Sequence, residues 1–187
     1  MLKYTVLFIV LIFSSREGWC RDKFTFKVND GNLIGDALKL EPFTKINKGY
    51  YFFGSERVNW YVAYEKCREL DAELITFETD EEIDEIANYL NSNQERGDYW
   101  TSGNDLVMTG THKWFTNAQR INSLRWARGQ PDNFRRREHC IHLGYIFKDS
   151  IGFELGDRPC ANEDNRSLFQ FICETPNPET ISIVVWK

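Results

Sequence analysis

Four side chains between Trp126 and Cys160, in WARGQPDNFRRREHCIHLGYIFKDSIGFELGDRPC, are suited to one kind of chemistry: Gln130, Asp132, Glu138 and Asp157. All four are hard oxygen donors and three are anionic. Such donors gathered on loops suit calcium, which takes six to eight ligands and accepts carboxylate, amide and backbone carbonyl together. Zinc would want more nitrogen or sulfur. Pro131 stands between two of the donors, and the bond before a proline is the only peptide bond that commonly goes cis, which can turn both neighbouring side chains to one side. Gln130-Pro131-Asp132 therefore reads as a ligand clamp. His139 and His142 flank Cys140, but an i, i+3 pair on a strand points its side chains to opposite faces. No His-Glu-x-x-His helix is present, and no Ser, His and acid arrangement stands out. The residues speak for binding rather than catalysis.

Arg135, Arg136 and Arg137 lie between the donors, with Arg125, Arg128 and Arg158 close by in sequence. A charge run is ordinarily a solvated face. The functional reading is a local anion subsite, because guanidinium pairs sulfate, carboxylate or phosphate in a bidentate fork. Asn165-Arg166-Ser167 is a glycosylation sequon, just ahead of an expected strand.

The elements that must position these residues begin with KINKGYYFF (45–53), read as a first strand. Asn59 can cap a helix with Trp60, Ala63, Tyr64, Cys67 and Leu70 on one face. Thr79 and Glu82 form a capping box for a second helix, whose Ile83, Ile86, Ala87 and Leu90 recur at helical spacing. The acidic run Asp80 to Glu82 suits the first turn of that helix better than a metal cluster. From Tyr99 the pattern changes to short β-rich runs, at 99–103, 113–115, 140–147, 153–155 and 168–174, separated by Gly, Asn and Asp. Helices followed by a loop-rich antiparallel region make an α+β domain. Residues 21–44 read as an N-terminal extension without heptads, its turn signal at Asn29 to Gly31. The ending ETISIVVWK (179–187) belongs to a C-terminal tail over 176–187.

Lys3, then the apolar run YTVLFIVLIF, then SSREG, has the layout of a secretory signal peptide over residues 1–20 and is too short to span a bilayer. The expectation is a secreted, extracellular protein with no membrane insertion. The full chain carries a formal charge of −5, and removing residues 1–20 leaves 21 basic and 27 acidic residues. Nucleic acid is thereby a poor partner, since binding it normally needs a basic footprint. In an oxidising compartment Cys67, Cys140, Cys160 and Cys173 should pair, with three connectivities open. Cys20 is the odd one, and its fate depends on where the leader is cut.

The Gln-Pro-Asp triplet, the Glu138-His139-Cys140 step, the Gly156-Asp157 pair and Cys160, in this order, resemble the calcium and sugar site of a C-type lectin domain. The likeness is to secreted insect members of the galactose-specific class. YWTSGNDL (99–106) and FICE (171–174) resemble further family segments, so that the likeness covers residues 45–175. It implies a C-type lectin fold with Cys67 joined to Cys173 and Cys140 to Cys160. It also implies one Ca2+ held by Gln130, Asp132, Glu138 and Asp157, which hydrogen-bond the same two sugar hydroxyls that the ion takes. Phe134 stands where galactose-binding relatives carry an aromatic that covers the apolar face of the sugar. The implied partners are galactose-containing glycans on cells or microbes. Single sites of this kind bind weakly, so several domains, as in a homo-oligomer, would act together. Two departures are visible. Gly156 replaces the Asn that supplies a calcium ligand in the family, and His139 replaces an Asp of an auxiliary calcium site. With the arginine run, they support an alternative: a C-type-lectin-like domain with weak or no calcium binding that takes protein or anionic ligands through its arginine loop.

Overall fold

The computed structural model describes residues 28–29, 32–33, 41–144, 152–161 and 167–175. The signal-peptide stretch 1–20, Asn165 and the tail 176–187 lie outside the described residues. An antiparallel pair, β1 (Val28–Asn29) and β2 (Asn32–Leu33), brackets the turn signal at Asn29 to Gly31 and belongs to a separate unit, Met1–Leu38.

The run 45–53, expected as one strand, is a hairpin. β3 (Thr44–Ile46) pairs antiparallel with β4 (Gly49–Val58), Ile46 opposite Gly49. The reason is Asn47, at φ +48°. Asn tolerates left-handed backbone better than most residues, and a two-residue hairpin loop demands it.

α1 (Trp60–Glu69) starts where expected: the Val62 amide donates to the Asn59 side chain at 3.0 Å, and Trp60, Ala63 and Cys67 are buried. After the short β5 (Glu73–Leu74), which the sequence pattern did not suggest, comes α2 (Asp80–Ser92). Its capping box is formed, with the Glu82 amide donating to Thr79 Oγ1 and the Thr79 amide to Glu82 Oε2, both at 3.3 Å. Ile83, Ile86 and Leu90 are buried, as their spacing requires.

β6 (Tyr99–Asn104), β7 (Lys113–Trp114), β8 (Cys140–Gly144), β9 (Glu154–Arg158) and β10 (Phe169–Thr175) complete the sheet. The strand order is β3-β4-β10-β6-β8-β9, with β5 also on β10 and β7 also on β6. The expected antiparallel arrangement holds except at one seam, where β10 runs parallel to β6. Of the expected strand at 140–147, the part through Gly144 is β8, and 145–147 lie outside the described residues. The expected strand at 153–155 in fact runs from Glu154 to Arg158, which puts Asp157 on a strand rather than a loop.

Two clusters make the core. One joins Ile83, Ile86 and Leu90 of α2 to Ile141, Leu143, Leu155 and Ile172 of the sheet. The other surrounds Trp60, Trp100 and Phe171 and contains Cys67, Cys140, Cys160 and Cys173. The two indoles of this second cluster are satisfied, Trp60 Nε1 donating to Thr101 O and Trp100 Nε1 to Val58 O, each at 2.8 Å. Cys67 is bonded to Cys173 and Cys140 to Cys160, at sequence separations of 106 and 20. On a chain-entropy account the long bridge contributes ~4 to 5 kcal/mol and the short one ~3 kcal/mol. The short one joins the start of β8 to the residues just beyond β9, and so fixes the frame of the site.

Candidate functional site

Between β7 and β8 the chain makes a long excursion that has to be tied down before it can hold anything. α2 supplies the ties. Asp80 accepts from the Ser123 hydroxyl and, at 2.9 Å, from the Leu124 amide, and Asp84 pairs with Arg125. The acidic helix start therefore has a second role that the capping pattern did not disclose. Next, Leu155 of β9 exchanges backbone hydrogen bonds with Arg125 (2.8 Å) and Ala127 (2.9 Å). A turn closes from the Gln130 amide to Ala127 O at 2.8 Å, with Gly129 at φ +81°. A left-handed residue is needed there, and glycine takes it without steric cost. The Gln130-Pro131 bond is cis, the geometry the clamp reading anticipated.

Gln130, Asp132, Glu138 and Asp157 are brought together. One oxygen from each of Asp132, Glu138 and Asp157 lies within 4.8 Å of the others. Gln130 Oε1 accepts from the Asp157 amide at 3.0 Å. Asp157 and Glu138 are buried, whereas Asp132 is exposed. Backbone amides organise the carboxylates: Asp132 and Asn133 donate to the two oxygens of Asp157 at 3.0 and 2.8 Å, and Phe134 donates to Asp132 at 3.1 Å and Glu138 at 3.3 Å. Oxygens around one calcium sit 2.3–2.6 Å from it, so ligands on opposite sides stand about 5 Å apart. The carboxylate group has that size and that donor type.

Burial pushes the Glu138 carboxyl up to about 7; the Asp157 and Asp132 carboxylates push the same way, while Arg158 and the Phe134 amide oppose them. Arg158 lies 3.8 Å from Glu138 and donates to Asp157 O at 2.8 Å. Three carboxylates so close call for positive charge, and Arg158 supplies only part of it.

Phe134, more than half exposed, begins a short 3-10 turn (Phe134–Arg136) at the lip of the cluster. The Arg135 guanidinium stands over its ring, 5.1 Å from the centroid. Gly156 is buried in β9 opposite His142.

Sequence reasoning passed over Asn133 and Asp105. Asn133, at φ +43°, accepts the Glu138 amide on its side chain at 3.1 Å, which closes the loop on itself. Its place directly after the Gln-Pro-Asp triplet was the available signal. Asp105, buried at the end of β6, bonds His139 Nδ1 at 2.7 Å and lies 3.7 Å from His112 Nε2. His139 thus serves an Asp-His pair in place of an oxygen ligand.

A loop-borne oxygen cluster beside two paired strands, braced by two disulfides and two helices, defines a lectin-like binding domain. A family model for the lectin C-type domain matches residues 56–175, and the chain belongs to the C-type lectin family. It is 54% identical to C-type lectin 37Da of Drosophila melanogaster over 187 residues, all of both chains. It is 28% identical to perlucin of Haliotis laevigata, over 71% of this chain and 79% of that one. Among solved structures, the mouse scavenger receptor C-type lectin carbohydrate-recognition domain superposes with a TM-score of 0.59 at 22% identity, covering 71% of this chain and 94% of that one. An SPL-1 complex with GlcNAc gives a TM-score of 0.61 at 21% identity, covering 73% and 93%. The fold is therefore the C-type lectin fold.

Proposed function

We propose that the chain is a secreted, calcium-dependent lectin of the galactose type, recognising galactose-bearing glycans on cells or microbes. Its recognition domain spans residues 45–175, its leader 1–20, its extension 21–44 and its tail 176–187, with Asn165 as the glycan acceptor. The observation that carries this reading is the meeting of Asp132, Glu138 and Asp157 within 4.8 Å, with the exposed Phe134 two residues after Asp132.

Gln130, Asp132, Glu138 and Asp157 would hold the calcium ion, which when bound would supply direct coordination to two adjacent sugar hydroxyls. The protein's own groups do the rest. The acidic side chains accept from those hydroxyls, the Gln130 amide donates to one, and Phe134 covers the apolar C–H face. Reversing amide and carboxylate along the loop would exchange donors for acceptors, which is why the Gln-Pro-Asp order speaks for galactose. No bond is made or broken.

The test is retention on immobilised galactose in calcium and release by chelator. Asp132→Ala is expected to abolish retention, because it removes a carboxylate central to both metal and sugar. Retention that persists unchanged in chelator would contradict the reading and favour a calcium-independent domain that binds through its arginine loop.

A further inference from the structure

The calcium and galactose contacts proposed above do not use the arginine run, yet Arg135 and Arg136 share the short turn that Phe134 begins at the lip of the site. Asn133, Arg135 and Arg136 all sit in left-handed backbone, at φ +43°, +57° and +60°. Each such residue costs about 1 to 2 kcal/mol relative to ordinary backbone, a cost glycine would avoid. The loop on either side of the two arginines is pinned to the oxygen cluster. The amides of Asn133 and Phe134 donate to Asp157, Asp132 and Glu138, and the Glu138 amide returns to Asn133. The carboxylates that would take the ion thus also fix the backbone that flanks the arginines.

Charge makes the placement meaningful. The three carboxylates and Arg158 together carry a formal −2, which one divalent cation cancels. The loop arginines are then left over in the local charge balance. Arg136 is exposed, and its guanidinium makes no ion pair or hydrogen bond with any described residue. Arg135, also exposed, stands over the ring of Phe134. On a chain of net charge −5, this is a concentrated cationic edge.

We infer that Arg135 and Arg136 form an anion subsite beside the sugar site, and that the favoured ligands are galactosides bearing an anionic group such as a sulfate ester or a carboxylate. Guanidinium suits both, through paired N–H donors. The inference rests on the galactose reading above.

Calorimetry on the full chain in calcium would compare galactose with 3-O-sulfogalactose, 6-O-sulfogalactose and a sialylated galactoside, which separates sulfate from carboxylate. The anionic sugar is expected to bind about three- to tenfold tighter than galactose at low salt, the range for one or two partly exposed charged contacts. In the unsubstituted chain this advantage should shrink as salt rises. In Arg135→Gln/Arg136→Gln the ratio of anionic to neutral affinity should fall to about one. Equal binding of anionic and neutral sugars, or an advantage that survives the double substitution, overturns the subsite and leaves the galactose reading intact. If calcium binds but no sugar does, the galactose reading fails first. Binding of phosphatidylserine vesicles without binding of anionic galactosides overturns the subsite in favour of a lipid surface.

Discussion

At the residue scale the site depends on where oxygens fall on the backbone. Asp157 is fully buried, yet it is satisfied because two consecutive amides donate to its carboxylate and the Gln130 side chain accepts from its own amide. A buried carboxylate without such partners would be costly. Gly156, its neighbour, offers neither donor nor acceptor from a side chain. Gly156→Asn should therefore tighten calcium, since it adds an amide oxygen as a ligand without changing charge. It should also tighten galactose by about three- to tenfold through one added hydrogen bond. Gly156 is buried opposite His142, so Gly156→Ala serves as the control that adds bulk without the amide. Asn tighter than Ala, measured by calorimetry, supports the expectation; Asn no tighter than Ala counts against it. Most of this arrangement was legible in the sequence, because donor types and the order Gln-Pro-Asp, Glu, Asp are local facts. Asp105 was not, since its partners His112 and His139 lie 7 and 34 residues away and meet it only through the fold.

At the scale of elements, the helices were the most readable because capping and periodicity are short-range. Strand limits were less so. β5 is two residues long and exists only because β10 is there to pair with it. The hairpin at Asn47 hid inside a run of strand formers, and β9 carries Gly156 and Asp157, which alone would suggest a turn. β10 also contains a group whose titration affects stability. Burial pushes the Glu174 carboxyl up to about 7 from 4.5, with Glu78 and Glu82 adding to the rise and the Thr76 amide opposing it. A raised folded-state pKa means that the folded chain binds more protons than the unfolded one between those values. The charged form is therefore a burden above pH 7, relieved as pH falls toward 4.5. Glu174→Gln, nearly isosteric and neutral, should stabilise the protein at about pH 8 by on the order of 1 to 3 kcal/mol and have little effect near about pH 5. Denaturant titrations of both forms in chelator would show this. An equal difference at both pH values would mean that the charge of Glu174 is not the cause.

At the scale of the whole molecule, the two helices, the mostly antiparallel sheet and both disulfides serve one end. They hold a long excursion, from Lys113 to Cys140, against β9 so that its oxygens meet Asp157. Family membership could be read from the order of motifs along the chain. What could not be read was the bracing: Asp80 and Asp84 of α2 reach across about forty residues of sequence to fix Ser123, Leu124 and Arg125. Pairings at that range follow from packing and leave no local pattern. The proposed function requires that Gln130, Asp132, Glu138 and Asp157 converge on one ion that also takes the sugar. The most direct test is a calcium titration of the purified chain by calorimetry, with and without saturating galactose. One calcium per chain, bound more tightly when galactose is present and lost in Asp132→Ala, is the predicted result. Calcium affinity indifferent to galactose, or no calcium bound at all by a folded chain, would contradict the account.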